Sequence, residues 1–380
     1  MVKNVNNGKF DVVIVGGGPA GSTAAYLLKK EGFQVLLIEK EKFPRDKLCG
    51  GLITKKTLQI LLDLFDFKLK DLKDDNVVDY IADSYRIYFK DKYITRNTME
   101  SAFHLVKRTE YDNYLLNKAK ASNVKVLENT KVEDINFKDN YITTEKGDRF
   151  SGHYIIAADG ANSKIRNKLL VKRNLKNCSF VKNNWAMTIE AELPRHKIDL
   201  DIKEPALYFG IINWGYGWVF PKKDTITVGL GGLENQNKNF KEIFKDYLKL
   251  LNLDHLSLNM KGWPIPYGNY LERPAYKNTF LIGDAGNLVN PLTGEGLYYA
   301  HKSAQIVSEV IKKERESNID CTNLYNKRIK NEIVKDLKKS KFYRSILWSS
   351  PQFIQSILVR VTAKYFYRKI TRMIQGYELF

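Results

Sequence analysis

Cysteine is scarce in this sequence, whose 380 residues include three, Cys49, Cys178 and Cys321. An odd number at wide spacings supports neither a disulfide framework nor a tetrahedral zinc site, so a reducing cytoplasm is the expected location. Proline and glycine are also few, with 10 and 24 residues scattered along the chain, and no low-complexity linker is visible. With 43% hydrophobic residues, the composition excludes disordered and fibrous classes and favours a globular chain of two domains or one elaborate one.

Long apolar runs are missing as well. The first run, Val12 to Val15, is four residues long and leads into glycines instead of a cleavage site, which argues against a secretory leader. The longest uncharged stretches, Pro205 to Pro221 and Ser345 to Val359, have 17 and 15 residues, fewer than the ~20 that a spanning helix needs. The five histidines show neither metal-ligand spacing nor a Ser-His-Asp arrangement, so neither a metal site nor a hydrolase is predicted.

Positive charge is in excess and is concentrated at the end of the chain. The sequence has 62 Lys and Arg against 43 Asp and Glu, a net charge of +19. Residues 321–380 hold 13 of these cations against three acids. Within them, Arg360, Lys364, Arg368 and Arg372 recur every four residues, the pattern of a basic amphipathic helix. No zinc-finger, recognition-helix or RNA-binding signature accompanies the charge, which argues against a nucleic-acid partner.

Two interpretations of this basic helix stay open. A terminal helix can dock on the body of the protein with its basic face in water. Alternatively it lies peripherally at the inner face of the membrane, where each cation contributes roughly 1 kcal/mol near anionic headgroups. Its apolar side would then enter the acyl region through Val359, Ala363, Phe366, Ile370, Met373 and Ile374. The same positive surface also suits an acidic redox partner.

The order of predicted elements indicates a nucleotide-binding domain that is interrupted and later completed. Phe10 to Val15, Ala20 to Lys30 and Gln34 to Ile38 form a predicted strand, helix and strand, a βαβ unit. From about Phe180 to Gly232 the pattern predicts antiparallel strands, and a strand followed by glycine returns at Thr279 to Asp284. The expected fold class is α/β, a Rossmann-like domain interrupted by an antiparallel β-sheet substrate domain, with a helical C-terminus.

The expected domain boundaries follow from these patterns. The nucleotide-binding domain comprises residues 1–75, 106–175 and 273–316. The antiparallel strands of the substrate domain fall in residues 76–105 and 176–272, and the basic helical region occupies 317–380.

A glycine-rich turn follows the first predicted strand. Gly16-Gly17-Gly18-Pro19-Ala20-Gly21 satisfies G-x-G-x-x-G between a strand and a helix, and Glu39 follows 18 residues later at the end of the next strand. Gly16 permits the tight turn, Gly18 lets the backbone approach a pyrophosphate, and Gly21 lets helix and strand pack closely. Glu39 can accept hydrogen bonds from ribose hydroxyls. An acidic residue at this place disfavours a 2′-phosphate.

Two later segments that combine glycine with aspartate extend the nucleotide-binding signature. Gly283-Asp284-Ala285-Gly286 and Asp159-Gly160 each follow an apolar strand, and Arg108 begins a helix. Together with the first turn they resemble FAD-binding oxidoreductases related to the aromatic hydroxylases. That resemblance implies that Asp284 takes a ribityl hydroxyl, that the backbone of Glu295-Gly296 faces the flavin N1/O2 edge, and that Arg108 lies near the FAD phosphates and ribose. Asp159 is expected to be mostly structural.

Three further elements resemble the geranylgeranyl reductase family. They are Phe43-Pro-Arg-Asp-Lys-Leu-Cys-Gly-Gly51, Tyr216-Gly-Trp-Val-Phe-Pro-Lys222 and Pro291-Leu-Thr-Gly-Glu-Gly-Leu-Tyr-Tyr-Ala300. The resemblance covers roughly residues 10 to 310. It implies a FAD domain with an antiparallel substrate domain, and saturation of isolated C=C bonds in polyprenyl chains of lipids, chlorophyll precursors or quinones.

The resemblances imply a set of site residues. Reduced FAD would donate a hydride, and the loop of Cys49, Gly50 and Gly51 would lie beside the reacting bond as the catalytic element. Cys49 is either a group near that bond or a small packed thiol, and Lys47 holds the flavin or a lipid phosphate or is an ordinary solvated lysine. The FAD contacts are expected to be Gly16, Gly18, Pro19, Ala20, Gly21, Glu39, Lys40, Lys47, Cys49, Gly50, Arg108, Val132, Asp159, Gly160, Gly283, Asp284, Gly294, Glu295 and Gly296. The prenyl chain is expected to contact Tyr208, Tyr216, Trp218, Phe220 and Pro291.

Other functions share parts of this signature. A FAD-dependent monooxygenase or halogenase has the same nucleotide elements, and a flavin electron carrier at a membrane surface would use the basic C-terminus. The electron donor is also open, because the sequence has no second G-x-G-x-x-G domain for a tightly bound nicotinamide. Either NAD(P)H docks transiently or a ferredoxin-like protein delivers the electrons. The prenyl substrate is an isoprenoid lipid or a prenylated small molecule.

Overall fold

The computed structural model describes residues 7–175, 183–198 and 201–365. The strands of that part of the chain are β1 (Asn7–Val15), β2 (Val35–Ile38), β3 (Leu52–Ile53), β4 (Tyr80–Phe89), β5 (Lys92–Leu105), β6 (Lys125–Leu127), β7 (Val132–Asn136), β8 (Tyr141–Thr144), β9 (Arg149–Ala157), β10 (Trp185–Pro194), β11 (Ala206–Phe209), β12 (Gly215–Pro221), β13 (Thr225–Leu233), β14 (Lys261–Pro266), β15 (Ala275–Tyr276) and β16 (Thr279–Leu281). The α-helices are α1 (Pro19–Lys30), α2 (Lys55–Phe65), α3 (Leu69–Asp74), α4 (Arg108–Ala121), α5 (Lys164–Lys172), α6 (Phe240–Leu250), α7 (Leu297–Ser317), α8 (Cys321–Ile329), α9 (Lys335–Ser349) and α10 (Gln352–Tyr365).

The first sheet is the nucleotide-binding one. Its strands run in the order β15-β16-β9-β1-β2-β6, and β1 pairs in parallel with both β2 and β9. These strands are continuous apolar runs because both faces of the sheet are covered. Helices α1 and α7 cover one face, where Ile14, Ala24 and Ile306 belong to one buried cluster. The carboxyl ends of β1, β2, β9 and β16 therefore meet along one edge, where such folds bind their ligands.

The second sheet forms the wall of the substrate domain. Its order is β14-β10-β13-β12-β11-β4-β5-β3, antiparallel except for the β11–β4 pair. One face packs on α6, whose Phe244 and Tyr247 join Val219 and Val228 in a buried cluster. Because successive side chains of a strand point to opposite faces, every second residue of these strands faces away from α6. This face, called the inner face below, is turned toward the first sheet.

Helix α10, near the C-terminus, packs against strands β4 and β5 of the second sheet. Val359 and Ala363 of α10 are buried against β4 and β5 in a cluster with Tyr85 and Phe103. The described half of the predicted basic helix thus docks on the body, and its continuation from Phe366 lies outside the described residues. Within the described ranges, every helix is too short or too polar to cross a bilayer.

The expected fold class is confirmed, since a Rossmann-like sheet and an antiparallel sheet alternate along the chain as the motif order predicts. The numerical domain limits stay predictions. One detail differs from them: β3 lies inside the segment assigned to the first domain, yet Leu52 pairs with Leu105 of β5 in the second sheet. The reason is that the segment before β3 leaves the nucleotide-binding sheet and crosses to the antiparallel one.

Candidate cofactor and substrate site

A cavity of about 1380 Å³ lies between the two sheets. Its walls come from the carboxyl ends of β1, β2 and β9, from the loop before β3, from the inner face of the antiparallel sheet, and from α9 and α10. The predicted cofactor residues that line it are Gly16, Gly18, Pro19, Ala20, Glu39, Lys40, Lys47, Cys49, Gly50, Arg108, Val132, Asp159, Gly160, Asp284, Gly294, Glu295 and Gly296. Gly51 and the predicted wall residues Tyr216, Trp218 and Phe220 line it as well. One cavity therefore joins residues from every motif.

The glycine turn brings the start of α1 to the cavity. Gly16 has φ +105°, and a Cβ atom there would lie 2.3 Å from the Ala158 carbonyl oxygen. A Cβ on Gly21 would lie 1.9 Å from the Gly16 carbonyl oxygen, so only glycine allows this helix to start against the strand. No side chain caps α1, since Gly18 is its N-cap and Pro19 follows. The free N–H groups and the helix dipole make this end an anion site.

Glu39 is fixed at the edge of the same turn. Its carboxylate accepts hydrogen bonds from the backbone N–H groups of Gly17 at 2.6 Å and Glu41 at 2.9 Å. The side chain is buried, yet the residue lines the cavity. This orientation suits the hydroxyl acceptor that the sequence predicts.

A buried cluster of two arginines and one aspartate flanks the anion site. Arg108 donates to both carboxylate oxygens of Asp112, at 2.7 and 2.9 Å, and Arg45 Nη2 lies 3.1 Å from Asp112 Oδ2. Asp112 is fully buried, whereas both arginines line the cavity. Arg45 Nη1 is buried without a hydrogen-bond partner in the described chain, so a donor is left for a ligand. Sequence reasoning quoted Arg45 within a motif but gave it no role.

Lys47 lies farther along the same loop. Its ammonium nitrogen is 4.0 Å from the centre of the Trp263 ring, a cation–π contact. Burial, with a smaller contribution from the Arg108 cation, lowers the pKa of Lys47 to about 8. The structure therefore places Lys47 in the cavity wall and not in bulk solvent.

Two aspartates line the cavity at the ends of β9 and β16. Asp159 Oδ1 is buried without a hydrogen-bond partner among the described residues, while Oδ2 accepts from the N–H of Ile165 at 3.4 Å. Burial raises the pKa of Asp159 above its ordinary value. Asp284 lies over the start of α7, because a Cβ on Gly296 would be 3.3 Å from Asp284 Oδ1. Both carboxyl groups are thus available to polar groups of a ligand.

The start of α7 presents its backbone to the cavity because the Glu295 side chain is held elsewhere. Thr54 and Thr57 donate to Glu295 Oε1 at 2.5 and 2.8 Å, and Lys56 Nζ lies 3.2 Å from Oε2. These contacts tie the carboxylate to the beginning of α2. The backbone of Gly294 to Gly296 therefore lines the cavity. The family resemblance predicts that the flavin N1/O2 edge lies there. The three partners of Glu295 were not found from the sequence, because they lie some 240 residues away along the chain.

The Cys49–Gly51 loop is compressed between the two domains. Gly51 has φ +75°, and a Cβ on it would lie 2.0 Å from the Val106 carbonyl oxygen. A Cβ on Gly50 would lie 2.7 Å from the ring of Phe220. The Gly51 N–H donates to Cys49 Sγ at 3.4 Å. Both glycines are therefore required by close packing, and the thiol supports the turn.

An aromatic wall covers the inner face of the antiparallel sheet. Tyr216, Trp218 and Phe220 alternate along β12 and all line the cavity, with Leu207 and Phe209 beside them on β11. Phe209 stacks on Trp348 of α9 at a centroid distance of 5.9 Å. These residues form an apolar region that continues directly from the cofactor end.

Four predicted site residues do not line the cavity. Tyr208 points to the opposite face, where it stacks on Tyr88 at 4.5 Å, because adjacent residues of a strand face opposite ways and Phe209 takes the inner side. Pro291 is buried near Gly268, and its successors Leu292 and Thr293 line the cavity in its place. Gly21 and Gly283 lie behind the lining, where they let α1 pack closely; a Cβ on Gly283 would be 3.1 Å from Ala20 Cβ. Tyr208, Pro291, Gly21 and Gly283 thus lie outside the lining of the cavity, and their predicted contacts with the cofactor or the prenyl chain stay predictions.

These features fit a flavin dinucleotide. The open start of α1 and the spare donor of Arg45 suit a pyrophosphate, Glu39 and Asp159 offer acceptors to hydroxyl groups, and the backbone at the start of α7 offers N–H groups to a ring edge. The site is therefore a FAD site with an apolar extension. Its class is that of the FAD-dependent oxidoreductases.

Comparison with known proteins agrees with this class. The family model described as FAD binding domain matches residues 9–313, and the chain belongs to that family. An uncharacterised protein of Methanosarcina barkeri is 32% identical over 92% of this chain and 88% of its own length. Geranylgeranyl diphosphate reductase of Rhodobacter capsulatus is 29% identical over 79% of this chain and 74% of its own length. Digeranylgeranylglycerophospholipid reductase of Methanococcus vannielii is 28% identical over 89% of this chain and 86% of its own length.

A solved structure shares the whole architecture. A geranylgeranyl bacteriochlorophyll reductase-like protein of Thermoplasma acidophilum superposes with a TM-score of 0.81 at 22% identity, covering 94% of this chain and 92% of that protein. The predicted resemblance to geranylgeranyl reductases is thus confirmed. The protein is a FAD-dependent oxidoreductase related to them, and its cofactor is FAD.

Proposed function

We propose that this enzyme saturates C=C bonds in a polyprenyl chain of the geranylgeranyl type, carried by a lipid, a quinone or a related isoprenoid. The observation that carries the proposal is the aromatic wall of Tyr216, Trp218, Phe220 and Phe209, which continues the FAD site within one cavity. An apolar chain lying along this wall would reach the Cys49–Gly51 loop. Relatives named for geranylgeranyl diphosphate and for digeranylgeranylglycerophospholipid support the same substrate class.

The protein's own contribution is to hold the chain and to exclude water. FAD, when bound and reduced, supplies a hydride. The close approach of Gly50 to Phe220 packs the Cys49–Gly51 loop directly against the aromatic wall, so an alkene held along this wall would lie beside the loop. The apolar wall favours a hydrocarbon over a polar aromatic substrate.

The electron donor is proposed to bind transiently, either as NAD(P)H or as a small acidic ferredoxin-like protein. The positive surface of the C-terminal helices supports the second donor through complementary charge. Stopped-flow reduction of the enzyme by each donor, at low and at high salt, separates the two, because only the protein donor should slow steeply with salt.

We further propose that α9 and α10 place the cavity mouth on the inner face of the membrane. Both helices line the cavity through Tyr343, Ile346, Leu347, Leu358 and Thr362. Their outer surfaces expose other apolar side chains, those of Phe342, Phe353, Ile357 and Val361. A lipid could then pass from the bilayer to the aromatic wall without crossing water. Phe353→Ser/Ile357→Ser should lower co-sedimentation with anionic vesicles several-fold. Val171→Ser is the control, since Val171 is equally exposed on α5, and equal losses in both variants would contradict the membrane proposal.

The decisive experiment follows both the cofactor and the lipid. The FAD-loaded enzyme is reduced with dithionite without air, a geranylgeranyl lipid is added, and flavin absorbance and lipid mass are recorded. Reoxidation with a gain of two hydrogens per bond is the expected result. Reoxidation that requires oxygen and yields an oxygenated or halogenated product would instead assign a monooxygenase or halogenase, and an enzyme that exchanges electrons without any product would be an electron carrier.

A further inference from the structure

A carboxyl group lies on the inner face of the antiparallel sheet, beside the apolar part of the cavity. Glu190 of β10 is 7% exposed and lines the cavity. Its neighbour across β13 is Gly229, which in turn pairs with Trp218 of β12. A Cβ on Gly229 would lie 2.7 Å from Trp218 Nε1, so the indole fills the space over this glycine and extends toward Glu190.

The Cys49–Gly51 loop meets this pair from the other side. A Cβ on Gly50 would lie 3.3 Å from Trp218 Nε1. The Trp218 N–H is buried and is directed at the Glu190 carboxyl, although the two do not form a hydrogen bond of good geometry. Glu190, the indole and the glycine loop thus meet where the FAD site ends and the aromatic wall begins.

The charged groups around Glu190 leave it without a close counter-ion. Lys222, at the end of β12, is buried, but its Nζ lies 3.8 Å from Glu192 of the same strand as Glu190. Lys261, which lies opposite Glu190 on β14, forms an ion pair with Asp46. From the loop, Cys49 directs its backbone N–H at the carboxyl while its Sγ accepts from Gly51.

We propose that Glu190 delivers the proton that completes saturation of the alkene, an assignment that rests on the proposed prenyl reductase function. The alkene would gain a hydride at one carbon from reduced FAD and a proton at the other from the Glu190 carboxyl. The π bond, the flavin N–H bond that supplies the hydride and the Glu190 O–H bond would break, two C–H bonds would form, and FAD would be left oxidised by two electrons. The Glu190 carboxylate then takes a proton back from water.

The electrostatics of the site agree with this role. Burial raises the pKa of Glu190 to about 7; Lys222 opposes the rise, and the Glu192 carboxylate adds to it. A sizeable fraction of the group therefore carries its proton at neutral pH. A general acid with a pKa near the working pH is the most effective kind.

The test compares Glu190→Gln with the matched variant Glu192→Gln in the FAD-loaded enzyme. Infrared titration should show the carbonyl band of a protonated carboxyl that disappears near pH 7 in the wild type and at a lower pH in Glu192→Gln, because the Glu192 carboxylate contributes to the raised pKa of Glu190. The band should be missing in Glu190→Gln. In single turnovers of pre-reduced enzyme with a geranylgeranyl lipid, Glu190→Gln should be about 100-fold slower or more, with flavin content and substrate KM nearly unchanged. The wild-type rate should fall above pH 7, and the slow variant should show no such fall.

Two outcomes would overturn the assignment in distinguishable ways. Wild-type reduction of the lipid with an equal rate in Glu190→Gln would refute Glu190 alone and leave the reductase function standing. A wild-type enzyme that reduces no prenyl lipid would refute the proposed function, and the proton role with it. Circular dichroism and flavin content of each variant show whether a loss of rate reflects a loss of fold.

Discussion

Replacing the Glu190 carboxyl with an amide should stabilise the protein in alkaline solution and leave its stability near pH 5 almost unchanged. In the fold the pKa of Glu190 is about 7, chiefly because of burial, compared with an ordinary value of 4.5. Between these values the folded chain binds more protons at this site than the unfolded chain, so the free energy of unfolding falls as pH rises through the window. Glutamine does not titrate, so the free energy of unfolding of Glu190→Gln does not fall with pH through this site.

The size of the effect follows from the pKa difference. From 4.5 to about 7, at about 1.4 kcal/mol for each pKa unit, the carboxyl costs the wild type about 3 kcal/mol above pH 7. Unfolding entropy of about 2.1 cal/mol/K per residue, over 380 residues, converts this into a Tm difference of about 4 °C.

Thermal unfolding of the FAD-saturated proteins from pH 5 to pH 8.5 measures the difference directly. The Tm of Glu190→Gln should approach the wild-type value at pH 5 and exceed it increasingly toward pH 8.5. Glu192→Gln is the comparison, because it keeps the Glu190 carboxyl: its Tm should still fall as pH rises, and the fall should begin at a lower pH than in the wild type, since the Glu192 carboxylate no longer raises the pKa of Glu190. Parallel curves for wild type and Glu190→Gln would refute the claim that Glu190 is buried in protonated form.

Three further predictions test the cofactor end and the aromatic wall. Arg45→Met should raise the Kd for FAD about 10- to 100-fold in flavin-fluorescence titration, because it removes a charged hydrogen-bond donor; an unchanged Kd would place the pyrophosphate elsewhere. Gly21→Ala should yield protein purified without flavin and with a lower Tm, since its Cβ would lie 1.9 Å from the Gly16 carbonyl oxygen; a yellow, stable variant would contradict that packing. Phe209→Leu should raise the KM for a prenyl lipid several-fold, whereas Tyr208→Leu should leave the KM unchanged. A larger KM in Tyr208→Leu than in Phe209→Leu would mean that Tyr208, and not Phe209, faces the cavity.

The parts of the site that the sequence predicts correctly are local in the chain. The turn from Gly16 to Gly21 needs only a strand, a helix and the steric limits between them, and all three are visible in one short segment. Glu39 follows from the same unit, because the ends of adjacent parallel strands share an edge. The Cys49–Gly51 loop was recognised by resemblance, and its close packing on Val106 and Phe220 explains why glycines are needed there.

The parts that were missed depend on which residues meet across the fold. Arg45, in the loop before β3, becomes a ligand-facing donor through Asp112, which lies on α4. Tyr208 and Phe209 are indistinguishable as apolar strand residues until the position of α6 decides which face is buried. Glu190 lies in a stretch that alternates well enough to predict a strand, but the carboxyl gains its environment from Gly229, Trp218 and the glycine loop on three other segments.

The two buried acids Asp112 and Glu190 show how one cavity can divide its chemistry by environment. Asp112 is held by two guanidinium groups, so it acts as a fixed counter-charge that keeps Arg45 and Arg108 at the anion-binding end. Glu190 has an apolar wall on one side, while Lys222 pairs with Glu192 and Lys261 pairs with Asp46. A permanent charge suits a pyrophosphate. On the proposed function, the hydrocarbon end would instead need a carboxyl that is neutral before turnover and can release a proton. The proposed roles of the two carboxyl groups therefore differ because their neighbours differ.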